Sequence, residues 1–178
     1  MGVARGAAAE GEVNAAFAIL GLHPPCEVAP LVPVLRKIVA VLSERPEPVV
    51  AATVQLATTC AALPERAEAA QDALQRAGRS NLRARLPGGR PSRALDLADP
   101  AQRDLFTAWA PWASVARVGD RRHPVLQVAA SGSSLWAVLA DHEFDAVDRW
   151  LRSRGLGKAV DMDTWAAEKR ATKRGRRN

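Results

Sequence analysis

Proline and glycine recur so often in this chain that no element can grow long, and that punctuation constrains the fold more than any other feature. The 178 residues include 12 Pro and 12 Gly, and their clusters coincide with breaks in hydrophobic periodicity. Gly21 with His23-Pro24-Pro25 closes a first segment, Pro46 and Pro48 separate a second from a third, and Pro64 opens a fourth that Gly78 closes. Inside these segments the apolar residues fall at helical spacing: Val13, Phe17 and Leu20; Leu31, Leu35, Ile38 and Leu42; Val50, Val54, Ala57 and Ala61; Leu63, Ala67, Ala70 and Leu74. Residues at i, i+4 and i+7 share one helix face, so the spacing predicts a bundle of about four short helices over residues 1–78, connected up and down. The β-branched residues of the third segment fit that pattern least well.

Residues 79–98 contain Pro87-Gly88-Gly89-Arg90-Pro91-Ser92 and few large apolar groups, the composition of a linker. Beyond it the pattern changes. Asp99-Pro100-Ala101-Gln102 reads as a capping box with proline at the first helical position, followed by Leu105, Trp109 and Trp112 on one face. Pro124 to Ala130 and Leu135 to Ala140 are short Val- and Leu-rich runs around Ser131-Gly132-Ser133-Ser134, which predicts a β-hairpin. Ser114 to Gly119 supplies a further strand, and Asp141 caps a helix presenting Phe144, Val147 and Leu151. The expected architecture is α+β: a helical bundle (1–78), an Arg-rich linker (79–98), a small module of helix, two- to three-stranded antiparallel meander and helix (99–162), and a basic tail (163–178).

The charge is segregated in the same way. Residues 76 to 93 hold six arginines and no acid, and residues 164 to 178 hold six basic residues against the single acid Glu168, leaving 13 basic and 18 acidic residues elsewhere. A formal charge of +6 therefore conceals two cationic stretches on an acidic body. Focused cationic surface attracts polyanions. A membrane surface is not expected as the partner, because no strongly amphipathic helix accompanies the charge. No apolar run reaches the roughly 20 residues needed to span a bilayer. Two cysteines, Cys26 and Cys60, are too few for a disulfide framework, and Glu10 and Glu12 interrupt any secretory leader. Reduced thiols and a cytoplasmic location are the expectation.

Signatures of catalysis are missing: no P-loop, no G-x-G-x-x-G after a strand, no H-E-x-x-H, no nucleophile elbow and no C-x-x-C pair. His23 and Cys26 are two potential zinc ligands where a structural site needs four, so neither a metal nor a cofactor is expected. Asp141, Asp145 and Asp148 share a helix face and, with His142 and Glu143, could be read as a metal-dependent nuclease site; the helix dipole and a polar face opposite an apolar one account for the same acids more simply. Trp136 alternates with Leu135 and Ala137 on a strand, and an outward Trp near Arg117, Arg121 and Arg122 would make a surface on which bases can stack.

The run Ala137 to Asp145 with Trp150 resembles the strand-then-acidic-helix segment of phage-type HNH homing endonucleases and their AP2-like DNA-binding modules. The resemblance covers a short stretch, lacks a His-Asn-His counterpart, and implies a DNA-contact module whose sheet lies on the nucleic acid. The leading expectation is thus a non-enzymatic nucleic-acid-binding accessory protein, with DNA ahead of RNA. Phosphate contact would fall to Arg79, Arg83, Arg85, Arg90, Lys173, Arg174, Arg176 and Arg177, while Arg117, Arg121, Arg122 and Trp136 would lie nearer the bases. The alternative is a protein-interaction adaptor that binds a partner, or itself, through residues 1–78. A metal-dependent nuclease is third.

Overall fold

The computed structural model describes residues 15–18, 31–77, 91–120, 122–129, 132, 134–156, 158–161, 164, 167 and 170, the first of these ranges by its backbone alone. The elements run β1 (Ala15–Ala18), α1 (Leu31–Ser43), β2 (Ala51–Gln55), α2 (Glu65–Ala77), β3 (Ser92–Asp96), α3 (Pro100–Trp109), β4 (Val115–Gly119), β5 (Pro124–Ala129), β6 (Ser134–Leu139) and α4 (Asp141–Ser153). All the strands join one antiparallel six-stranded sheet in the order β1-β6-β5-β4-β2-β3.

This architecture overturns the expected N-terminal four-helix bundle with a separate two- to three-stranded meander. Residues 51–55 are an interior strand, paired with β3 on one side and β4 on the other. Helical spacing of Val50, Val54 and Ala57 lost to strand pairing on both edges, which a β-branched residue such as Val54 suits. Ala15–Ala18, read as helix, pairs with β6 instead. Residues 92–96, read as linker, close the other side of the sheet as β3. Strands from both sides of residues 78–90 therefore share one hydrogen-bonded ladder.

The core follows from strand alternation. Val54, Ala116, Val128 and Leu135 lie side by side across β2, β4, β5 and β6, with Ala52, Val118, Leu126 and Ala137 in the next row. All eight are buried, because successive residues of a strand point to opposite faces. The helices complete that layer, α1 through Leu31, Leu35, Ile38 and Leu42, α3 through Phe106 and Trp109, and α4 through Val147 and Leu151. Each buried Leu, Val or Phe contributes about 1.5–3 kcal/mol relative to exposure. α2 buries Ala67, Ala70 and Leu74 and packs on α3. Trp109 is fully buried, and its indole N–H donates to the Gln55 carbonyl at 2.7 Å, which satisfies the one polar atom of the largest core side chain.

Local chemistry sets the element ends. Asp99 Oδ1 accepts from the Ala101 amide at 2.8 Å and Oδ2 accepts from Gln102 Nε2 at 2.9 Å, so the start of α3 is capped as its sequence implies. α4 differs in detail: Ala140, not Asp141, is the N-cap, and the Ala140 amide donates to Glu143 Oε2 at 2.8 Å. An alanine offers no side-chain acceptor, so only the returning half of a capping box is made. At Gly119 the ladder shifts register and φ is +98°, and a Cβ there would come within 3.1 Å of the Val125 amide nitrogen. Only glycine turns the chain there without strain.

Candidate nucleic-acid interface

The sheet face turned away from the described helices bears polar, apolar and aromatic side chains together. Its central row is set by register: Trp136 lies opposite Gln127, Gln127 opposite Arg117, Arg117 opposite Thr53, and Thr53 opposite Ala94. Trp136, Gln127, Arg117 and Thr53 are each half-buried. Arg117 Nε donates to Gln127 Oε1 at 2.8 Å, fixing the guanidinium along the row. The remaining guanidinium N–H groups and the Gln127 amide N–H₂ are donors that this bond does not consume. Beside the row lie Val115, Ala129 and Ser134 in register, together with Val125 and Val138. The face is thus polar along its middle, apolar at its flanks, and bears an aromatic two strands away from a cation. Asp96 sits at its corner, where its Oδ1 accepts from the Ala98 amide at 2.9 Å and serves the turn into α3.

The sequence-predicted contact residues separate into two groups. Arg117 and Trp136 are brought onto one face, with Gln127 between them. Arg122 is exposed in the β4–β5 turn, where its amide donates to Asp120 Oδ1 at 2.7 Å. Arg79, Arg83, Arg85, Arg90, Arg121, Lys173, Arg174, Arg176 and Arg177 lie outside the described residues, as do His23 and Cys26. Of the first arginine stretch the structure shows both ends. Arg76 is exposed in the last turn of α2, while Arg93 turns back to the same helix end and donates Nε to the Leu74 carbonyl at 2.9 Å. Arg93 is a C-terminal cap that suits the helix dipole. The stretch between them joins the end of α2 to β3, the strand beside Thr53.

A second cluster escaped the sequence reading. Arg45, just beyond α1, grips Glu143 through Nε to Oε1 at 2.7 Å and through Nη2 to Oε2, and Nη2 also donates to the Val138 carbonyl at 3.0 Å. The side chains are 21% and 6% exposed. Burial alone would raise the Glu143 pKa, but the Arg45 hydrogen bonds, the Ala140 amide and the Arg45 and His142 charges together hold it below 4.5. A cavity of about 550 Å³ opens beside the pair between α1 and α4, with Lys37, Glu44, Glu47 and His142 in its wall. Its lining charges are of both signs, and Arg45 and Glu143 bind each other, so the cluster reads as a clamp joining α1, β6 and α4. The partners are 98 residues apart, and no local pattern announces them.

The acidic group offered as a nuclease site is dispersed. Glu143 is held by Arg45. Asp148 Oδ2 accepts from Arg152 Nε at 2.6 Å and Oδ1 accepts from the Ala159 amide at 2.8 Å, tying the segment after α4 to that helix. Burial would raise the Asp148 pKa, yet these bonds and the Arg152 and Lys158 charges bring it below 3.8. Asp141 and Asp145 are exposed. Among the described residues no group of three or more His, Cys, Asp or Glu side chains is placed to hold a metal ion, and no helix is long and apolar enough to cross a membrane. Cys60 is a buried free thiol. The chain matches no protein-family model, and comparison with curated proteins and with solved structures gives no match.

Proposed function

We propose that this chain is a non-enzymatic nucleic-acid-binding protein, with DNA as the favoured polymer, that uses the sheet face turned away from the described helices as the contact surface and its two cationic stretches for phosphate. The observation that supports it most is the row Trp136-Gln127-Arg117-Thr53, which sets a stacking group, hydrogen-bonding side chains and a cation at consecutive strands of one face. Charge segregation supports it independently, because residues 76–93 and 164–178 carry the excess positive charge of a chain that is otherwise acidic. The adaptor reading rested on a helical half that would work alone. Residues 31–77 instead contribute two helices and an interior strand to the common core.

Salt-titrated binding to labelled duplex DNA, single-stranded DNA and RNA tests the reading. If six to eight cationic side chains meet phosphates, log K falls against log salt with a slope of about −5 to −7 for duplex DNA. Absence of binding to all three polymers at low salt removes the proposal.

A further inference from the structure

We infer that the sheet face is built for single-stranded nucleic acid, with an unpaired base stacked on Trp136; this rests on the nucleic-acid reading above and narrows it. The argument begins with width. Trp136, Gln127, Arg117 and Thr53 stand on four adjacent strands, so the row spans three inter-strand spacings, about 14 Å. A major groove is about 12 Å wide and about 8.5 Å deep, and accepts a helix or a two-stranded ribbon. This row lies on interior strands, with β1 beyond Trp136 and β3 beyond Thr53. Entering a groove edge-first would present β1 or β3 and leave Trp136 and Arg117 outside.

The second step is what the side chains can do. Inside a duplex both faces of every base are covered by stacked neighbours, so an indole set on a broad sheet finds no free π-face. An unpaired base offers one, and base–aromatic stacking is the dominant sequence-tolerant term in single-strand binding. With a base on Trp136, the Gln127 amide one strand away is within reach of its hydrogen-bonding edge. Arg117, oriented by its 2.8 Å bond to Gln127, sits one strand further, where a neighbouring phosphate would run. Val125, Val138 and Ala129, half-buried on the same side, supply apolar floor for the sugar. The order aromatic, amide, cation along the row matches base, base edge and phosphate along a single strand.

Anisotropy titration of the intact chain with labelled oligo(dT) and with a duplex of equal length, both at low salt, tests this. Oligo(dT) should bind more tightly than the duplex. Trp136→Ala should lower oligo(dT) affinity about tenfold or more while changing duplex affinity little. Trp136→Phe, which keeps an aromatic face and guards against a folding defect, should restore most of the loss. Arg117→Ala should reduce the single-strand salt slope by about 0.7, the signature of one lost phosphate contact. Tighter duplex binding, or a Trp136→Ala variant that is folded by near-UV circular dichroism yet binds oligo(dT) unchanged, overturns the single-strand assignment and leaves the nucleic-acid reading intact. Failure to bind either probe removes both.

Discussion

The two faces of the sheet have the same backbone and opposite chemistry. Toward the helices, Ala52, Val54, Ala116, Val118, Leu126, Val128, Leu135 and Ala137 form a continuous buried layer, edged on β3 by Arg93, whose guanidinium is spent on the end of α2. Away from them, the alternate residues of the same strands include Thr53, Arg117, Gln127 and Trp136, all half-buried. Arg93 on the helix side is consumed by the Leu74 carbonyl, whereas Arg117 on the other side is tied only to Gln127, in one register with Trp136, and that difference is what the proposed contact surface rests on.

Substitutions sort by which face they touch. Leu126→Ala removes a fully buried side chain from the core face and should cost about 2–5 kcal/mol in urea unfolding; a cost below about 1 kcal/mol would show that the helices do not close on that layer. Glu143→Ala removes the carboxylate that accepts both the Nε and the Nη2 bond of Arg45 and should cost about 3 kcal/mol, the low end for a broken buried pair. The same pair predicts a pH dependence. Glu143 is more acidic folded than unfolded, so its stabilisation is present above 4.5 and is lost as pH falls below 4.5 through the lowered folded value. Glu143→Gln should therefore flatten the acid limb of the stability profile, and an unchanged limb would assign acid sensitivity elsewhere. Asp99→Ala removes the α3 cap and should cost about 1 kcal/mol. Arg117→Ala, on the half-buried face away from the described helices, should shift stability by no more than about 0.5 kcal/mol; a larger loss would make Arg117 part of the scaffold.

The contrast also explains what could be read from residues alone. α3 and α4 were legible because local signals mark them: the Asp99-Pro100 start and the single apolar face of Phe144, Val147 and Leu151. β5 and β6 were legible because their apolar runs flank Ser131-Gly132-Ser133-Ser134, and Gly132 adopts φ of 80° in that turn. β2 was not, since Gln55 and Leu56 are both buried and blur the alternation that reveals a half-exposed strand. β3 is short and holds Arg93, Ala94 and Asp96 without a β-branched residue, so only its pairing with β2 makes it a strand. β1 has three alanines among its residues, which favour helix until β6 supplies partners. Of the site, the outward Trp136 was foreseeable from period-two alternation. The row joining it to Thr53 was not, because Thr53 and Arg117 meet only through non-local pairing.

The most direct test of the contact-face assignment pairs two readouts on one preparation of the Arg117→Ala/Trp136→Ala double variant: oligo(dT) affinity by anisotropy and the urea unfolding midpoint. The account predicts an affinity loss of about tenfold or more with a midpoint close to that of the parent chain. Parental affinity in a variant with a parental midpoint would contradict it.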